Sequence, residues 1–152
     1  MDHYKYIGTF EPLSDKIVIA DQYDMNDGTA TQVIDVPKNK WHIVAGMDTR
    51  NSIRAMITIH TDEFSFDDTI KRIGKQSFRS FAFFMDHNYF VDNVKTGKDL
   101  DIYLKPNGDY RDHYLSGDKQ ITYIEVPQGW MEANMYKYLN DNGDITALEI
   151  VF

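Results

Sequence analysis

Imidazoles and carboxylates, the side chains that most often hold metals or move protons, are spread along the whole chain. The five histidines are His3, His42, His60, His87 and His113. No two of them stand three or four residues apart, which is the spacing that lets two histidines of one helix share a metal. Asp86-His87 and Asp112-His113 place an acid beside an imidazole, but neighbouring residues of a strand point to opposite faces. Each histidine is therefore predicted to have a structural or surface role.

The segment from Asp21 to Gly28 contains the oxygen ligands that calcium prefers in proteins. Its candidate ligands are Asp21, Asp24, Asn26 and Asp27. A calcium loop of the EF-hand type needs a glycine at its sixth position and a glutamate at its twelfth. Counted from Asp24, Gly28 is fifth and Asp35 is twelfth, so the spacing does not fit. Turn formation by short polar side chains explains this segment without a metal.

Other catalytic and cofactor signals lack their usual surroundings. The chain has no cysteine, which excludes disulfides, thiolate zinc sites and a cysteine nucleophile. Ser77, Ser80 and Ser116 have no Gly-x-Ser-x-Gly setting. Gly74-Lys75-Gln76-Ser77 lacks the upstream glycine of a phosphate-binding loop. We therefore predict no catalytic residue, no cofactor and no metal site.

The charge and the hydropathy of the chain restrict its partners. Twenty-four acidic and sixteen basic residues give a net charge of −8, which repels phosphate backbones and anionic lipid surfaces. No apolar run reaches the length of a membrane span, about 18 residues, and Met1 to Tyr6 lacks the basic start of a secretion signal. We expect a cytoplasmic protein with no membrane partner and no ordinary nucleic-acid binding. Its acidic surface is either simply solvated or meets a basic protein.

Apolar patterns typical of strands recur along the chain. Four apolar residues in succession at 17–20 suit a strand buried on both faces, whereas residues 52–61 and the two final runs show the period-two alternation of half-buried strands. The predicted strands cover residues 4–10, 16–20, 32–36, 41–47, 52–61, 77–85, 100–105, 121–126, 131–139 and 145–152. Asn142-Gly143 between the last two predicts a closing hairpin. Residues 21–31 and 91–101 are predicted loops, and Pro127-Gln128-Gly129 is predicted to end a strand. Residues 62–73 are compatible with either a short helix or a strand.

Short predicted strands separated by regularly spaced turns predict a single all-β domain over residues 1–152. It should be mainly antiparallel, a β-sandwich or an open barrel with at most one short helix. His60 shares its strand parity with Arg54 and Thr58, which predicts a place on the solvent face. The side chains predicted to be buried in the core are Ile19, Ile57, Ile59, Phe81, Phe83, Leu148 and Ile150.

Three stretches of the chain suggest a family. They are Ala20-Asp21-Gln22-Tyr23, the run from Phe78 to Asp86 with Tyr89-Phe90, and the run from Asn142 to Phe152. In this order they resemble the Ser-Asp-Pro-Cys-Tyr, Asp-Ser-Gly-Gln and Gly-Glu-Ile segments of an uncharacterised family of bacterial and phage all-β proteins. The cysteine and proline of that family are missing near Asp21, and Phe78-Arg79-Ser80-Phe81 replaces its polar Asp-Ser-Gly-Gln. The resemblance implies an all-β fold and argues against a retained enzyme activity.

The leading hypothesis is a non-catalytic protein-interaction or inhibitor-type domain of bacterial or phage origin, acting through an acidic, aromatic-rich surface. It follows from the missing catalytic constellation and from nine Phe, ten Tyr and two Trp, a class of residue favoured at binding hot spots. The candidate binding residues are Asp21, Tyr23, Asp24, His87 and Tyr89. The alternative is a small-ligand-binding domain or hydrolase that joins histidines and aspartates in a cleft, drawn from His42, His60, His87, Asp21 and Asp86.

Overall fold

The computed structural model describes residues 3–29, 32–47, 53–94, 114–115 and 121–152. In chain order its elements are β1 (His3–Phe10), β2 (Lys16–Asp21), α1 (Gln22–Asp27), β3 (Gln32–Asp35), β4 (Trp41–Met47), β5 (Ile53–His60), β6 (Thr69–Asp86), α2 (His87–Tyr89), a π-helical turn (Phe90–Val94), β7 (Tyr114–Leu115), β8 (Ile121–Leu139) and β9 (Ile145–Val151). The order across the sheet is β1-β4-β5-β9-β8-β6-β2-β3, and β7 pairs with β8. All of these described pairings are antiparallel.

The sheet folds into two packed layers, and two long strands, β6 and β8, run through both of them. They contain 18 and 19 residues. Their register shifts between Arg79 and Phe81, where Ser80 has a φ of 65° and Gly129 on the facing strand has a φ of 75°. Irregularities of this kind bend a strand so that it can serve two packed layers. Hydrogen bonding continues through β6 and β8, so the two layers are halves of one folded sheet.

The main core lies between these layers. Trp41 and Ile43 of β4 share one buried cluster with Ile17 and Ile19 of β2, although β4 and β2 stand near opposite ends of the sheet order. A second buried cluster lies on the other face of β2 and β6, because their alternate residues, such as Val18, point away from the first. The predicted fold class, an all-β and mainly antiparallel β-sandwich or open barrel, is confirmed.

The first helical segment lies where the sequence predicts a loop, over residues 21–31. The carboxylates of Asp21 and Asp24 form a reciprocal capping box that starts α1. The helix ends at Gly28, whose φ of 68° is readily adopted by glycine. Met25 buries its side chain in the second cluster. The loop prediction is therefore wrong here, because the same short polar side chains that favour turns also cap helices.

The second helical segment, α2 with its π-helical turn, begins after Asp86. The Asp86 side chain accepts a hydrogen bond from the Tyr89 amide, and Tyr89, Phe90 and Val94 pack into the second cluster. The predicted loop over residues 91–101 is therefore wrong as far as Val94, and the rest of that range lies outside the described residues. No helix in the described part of the chain is long and apolar enough to cross a membrane.

The remaining strand predictions have mixed outcomes. Residues 62–73 form turns up to Asp68, and β6 then begins at Thr69. Pro127-Gln128-Gly129 does not end a strand, because β8 bends at Gly129 and continues. The closing hairpin is confirmed, with β8 and β9 paired and Gly143 in the turn at a φ of 83°. The strand predicted over residues 100–105 lies outside the described residues.

Most of the predicted core that can be checked is buried. Ile19, Phe83, Leu148 and Ile150 are at most 1 % exposed. Phe81 is only half-buried, since it follows the register shift at Ser80 and packs at the edge of the second cluster. The side chains of Ile57 and Ile59 lie outside the described part of the structure.

Candidate binding site on the outer face of the sheet

Aromatic rings line up on the outer face of β1, β4 and β5. Alternate residues of β4 are buried in the main core, namely Trp41, Ile43 and Ala45. His42, which lies between them, therefore faces outward. Backbone pairing sets His42 opposite His60 of β5, with 5.5 Å between the ring centroids. On its other side, the ring of Tyr6 lies 5.9 Å from that of His42.

The connection between β5 and β6, residues 61–68, folds over this face and is called the covering loop below. The Thr61 amide donates to the Thr146 carbonyl at 2.9 Å. The Thr146 hydroxyl donates to the carboxylate of Asp68, whose Oδ2 also accepts from the Ser65 amide at 3.1 Å. Thr146 of β9 therefore holds both ends of the covering loop.

The covering loop adds two rings to the line. Phe64 lies 5.4 Å from His60, 5.3 Å from Tyr138 and 5.2 Å from Phe66 between ring centroids. The rings of Tyr138 and Phe66 stand at 81° and 71° to the Phe64 ring. We call the resulting line the aromatic row: Tyr6, His42, His60, Phe64, Phe66 and Tyr138.

A pocket with a volume of about 220 Å³ lies beside the aromatic row. It is lined by Tyr4, Val44, His60, Phe64, Phe66, Tyr138 and Glu149. Phe66 is 91 % exposed and Tyr4 is 59 % exposed, so two large rings of the lining also meet solvent. A concave, mostly apolar surface with a few polar groups is typical of a binding site.

The polar groups of the pocket include a tyrosine bonded to a carboxylate. The Tyr138 hydroxyl donates to Glu149 Oε2 at 2.9 Å. Burial raises the pKa of Tyr138 to about 12, and the hydrogen bond to Glu149 and the charge of Glu149 act in the same direction. Tyr138 therefore stays protonated at neutral pH and acts as a donor to the carboxylate.

A second polar chain runs along the same face. Asp62 Oδ1 lies 2.6 Å from His42 Nε2, and the Tyr6 hydroxyl lies 2.9 Å from His42 Nδ1. A carboxylate only accepts, so Nε2 carries the proton, and in the neutral imidazole Nδ1 accepts from the Tyr6 hydroxyl. The imidazole is thereby oriented to take a proton from Tyr6.

Three of the predicted binding residues meet at the start of α1. Asp21 is fully buried, caps the helix and accepts from Arg79 Nε at 2.7 Å. This hydrogen bond raises the pKa of Arg79 above its ordinary value. The Arg79 guanidinium also lies 4.1 Å from the centroid of the exposed Tyr23 ring, and Asp24 completes the capping box.

The other two predicted residues, His87 and Tyr89, lie at the far end of the pairing between β2 and β6. Asp86, just before them, pairs with Ile17, whereas Asp21 pairs with Ala82. Tyr89 is buried and His87 is half-buried. The structure thus separates the five residues into two groups, and binding by either group stays a prediction.

The histidines and aspartates of the alternative hypothesis are also divided. His42 and His60 belong to the aromatic row. Asp21, Asp86 and His87 lie on or beside β2 and the end of β6. Within the described ranges, no group of three or more histidine, aspartate or glutamate side chains could hold a metal ion.

Of the residues that line the pocket, only His60 is among the candidate functional residues predicted from the sequence. Strand parity places His60 on the outer face, as predicted, but Phe64 partly covers it. A sequence signal for the pocket does exist. Phe64 and Phe66 are large apolar residues in an otherwise acidic segment, residues 62–68, whose pattern is compatible with either a helix or a strand. No family model, no curated protein and no solved structure matches the chain, so its function must be argued from this geometry.

Proposed function

We propose that the chain is a non-catalytic protein-interaction domain that binds a basic partner protein through the aromatic row and the pocket beside it. The observation that carries this proposal is the exposure of Phe66 and Tyr4 at the pocket. Contiguous apolar surface of this kind marks interaction sites, and aromatic side chains dominate the energy of binding hot spots.

The charge around the pocket supports a basic partner. The covering loop contains Asp62, Glu63, Asp67 and Asp68, and no lysine or arginine occurs in residues 61–68. Glu149 adds a carboxylate inside the pocket. A field of one sign steers an oppositely charged protein toward the site and disfavours acidic partners.

The proposal also includes a cytoplasmic location and a bacterial or phage origin. The location rests on the composition of the chain, which contains no cysteine. The origin rests only on the resemblance of three stretches to the uncharacterised all-β family.

A photo-crosslinker at one position of the site tests the proposal. We would introduce p-benzoylphenylalanine in place of Phe66, and in place of Trp130 as a control, because Trp130 is also 54 % exposed but does not line the pocket. The probe at position 66 should capture one discrete protein from an extract of the native cells. Unlabelled wild-type chain and its Trp130→Ala variant should suppress the capture, whereas a Tyr4→Ala/Phe66→Ala variant should not.

The captured protein would then be purified, and its affinity for the wild type, Phe66→Ala and Trp130→Ala would be measured at low and high salt. Phe66→Ala should weaken binding at least about tenfold, and binding should weaken with salt for a basic partner. Capture of the same proteins from positions 66 and 130, or a captured protein that binds Phe66→Ala as well as wild type, would overturn the proposal.

One observation favours a second function, a small-ligand hydrolase. Tyr6, His42 and Asp62 form a chain from hydroxyl through imidazole to carboxylate, the order in which a base activates a nucleophile. The Tyr6 oxygen would attack an ester carbonyl while His42 takes its proton. The ester C–O bond would break as His42 returns that proton to the leaving alcohol oxygen, and water would then hydrolyse the acyl-tyrosine to acid and free Tyr6. Intact-mass analysis after mixing with p-nitrophenyl acetate tests this: an acetyl adduct must be lost in Tyr6→Phe and in His42→Ala but kept in Tyr4→Phe.

A further inference from the structure

The walls of the pocket contain aromatic rings set at steep angles to one another. Phe66 and Tyr138 each stand nearly perpendicular to Phe64, and Tyr4 contributes a further ring to the lining. The face of an aromatic ring is electron-rich and attracts a cation at distances below about 6 Å from its centroid. Rings that converge on one volume therefore favour a positively charged group over a neutral one.

Glu149 places a negative charge in the same volume. Its Oε2 accepts from the Tyr138 hydroxyl, and no lysine or arginine among the described residues forms an ion pair with it. A carboxylate between apolar walls loses part of its hydration. A cation that enters the pocket replaces the lost hydrogen bonds to water with a charge-assisted hydrogen bond to the carboxylate.

His60 adds an acceptor to the lining. Its Nδ1 lies 3.2 Å from the Thr61 carbonyl, which can only accept, so Nδ1 carries the proton in this hydrogen bond. In the neutral imidazole the other ring nitrogen, Nε2, is then an acceptor. The polar atoms of the pocket that could meet a donor are therefore a carboxylate oxygen and an imidazole nitrogen.

We infer that the pocket receives the side chain of a lysine from the partner protein, with its ammonium group between the aromatic rings and Glu149. This inference rests on the proposed function and names the chemical group that the site recognises. The volume of about 220 Å³ is below the range of about 300–1,000 Å³ for pockets that enclose drug-sized ligands, and it suits one side chain.

The carboxylate geometry favours lysine over arginine. A guanidinium binds best when both carboxylate oxygens accept from its fork of donors. Glu149 Oε2 already accepts from Tyr138, whereas no described residue donates to Oε1. A compact ammonium needs only Oε1 and the surrounding rings, whereas a bidentate guanidinium would have to share Oε2 with the Tyr138 hydroxyl.

Small analogues of single side chains test the inference without a known partner. We would titrate the intact chain with Nα-acetyl-lysine methylamide, its norleucine counterpart and its arginine counterpart, and follow the ring signals of Phe64, Phe66 and Tyr138 by NMR. Norleucine matches the hydrocarbon stem of lysine but has no charge. The lysine compound should bind about tenfold more tightly than the norleucine compound and more tightly than the arginine compound.

Two isosteric variants test whether the preference for the lysine compound comes from the carboxylate of Glu149. Glu149→Gln should reduce the preference for lysine over norleucine to less than about twofold while norleucine binding is kept, since only the charge is removed. The matched control is Glu132→Gln, on the same sheet, whose carboxylate is paired with Lys75 away from the pocket lining. It should leave the preference unchanged. Dispersed amide spectra and unchanged melting temperatures would establish that both variants are folded.

The outcomes separate this inference from the proposed function. Equal binding of lysine and norleucine, tighter binding of arginine, or no binding of any analogue would overturn the lysine assignment, and crosslinking from position 66 would still decide the protein-interaction function on its own. Lysine binding at the pocket together with failed crosslinking would overturn the protein partner instead.

Discussion

The two outer faces of the folded sheet use similar residues in opposite ways. Over β2 and β6, two helical segments cover the face, and Met25, Tyr89 and Phe90 are buried beneath or within them. Over β4, β5 and β9, the covering loop leaves a pocket with Phe66 and Tyr4 exposed around it. The first arrangement removes apolar surface from water within the chain, whereas the second leaves apolar surface that a partner can bury.

The carboxylates of the two faces show the same contrast. Asp86 is buried, and it accepts from the Ser14 amide at 2.8 Å, from the Ser14 hydroxyl and from the Tyr89 amide at 3.2 Å. Glu149 on the loop-covered face accepts from Tyr138 alone among the described residues. A carboxylate whose acceptor sites are filled by its own chain holds the structure, and one with an open oxygen is available to a ligand.

The largest difference in the free energy of unfolding is expected between variants of two phenylalanines, one from each face. Phe83 has no exposed surface and lies in the second cluster, so Phe83→Ala should lower the free energy of unfolding by about 3–5 kcal/mol. Phe66→Ala should change it by less than about 0.5 kcal/mol, because Phe66 is 91 % exposed. Urea unfolding followed by circular dichroism measures both. Similar losses for the two variants would show that Phe66 is a core residue and would remove the contrast.

The next largest difference in the free energy of unfolding is expected between variants of two aspartates, one from each face. Asp21→Ala removes the cap of α1 and the acceptor of Arg79, and should cost about 2–3 kcal/mol. Asp62→Ala should cost less than about 0.5 kcal/mol, since its carboxylate is 79 % exposed. Asp21→Asn keeps a capping oxygen and should fall between them in the same unfolding assay. An Asp21→Ala variant as stable as the wild type would contradict the structural role of this carboxylate.

A smaller effect concerns the attachment of the covering loop. Thr146→Val removes the hydroxyl that donates to Asp68 and should cost about 1 kcal/mol, with faster hydrogen exchange at the amides of residues 61–68. Thr122→Val is the matched control, because the Thr122 hydroxyl is buried and has no hydrogen-bond partner among the described residues. That variant should be neutral or slightly more stable. If both variants exchanged alike over residues 61–68, Thr146 would not hold the loop.

The last effect appears only at alkaline pH, where the stability of the chain depends on the protonation of Tyr138. The pKa of Tyr138 is raised to about 12 in the folded chain, from an ordinary value of about 10. The unfolded chain therefore releases this proton first, and the contribution of Tyr138 to stability is complete below about pH 10 and is lost as the pH rises through about 12. Tyr138→Phe should make this decline shallower in urea midpoints, whereas Tyr136→Phe, which retains Tyr138, should not.

The strands could be predicted from the sequence because their signal is local. Apolar runs and period-two alternation located both ends of β1 to β5 and of β9, and the end of β8 at Leu139, to within a residue or two. The helical segments could not be located in the same way. Asp21 and Asp24 suit a turn as well as a helix cap. The side chain of Met25 in the helix is buried against residues of β2 and β6, a tertiary contact that the local sequence does not show.

The all-β class, the hairpin at Asn142-Gly143 and the outward face of His60 follow from residue patterns within single segments of the chain. The contact of His60 with Phe64 and the placement of both with Tyr138 and Glu149 around one pocket depend instead on the tertiary structure. Alternation specifies which face of its own strand a residue occupies. Which strands then lie side by side, and in what register, depends on how the whole core packs, and β5 pairs with β9 from the far end of the chain.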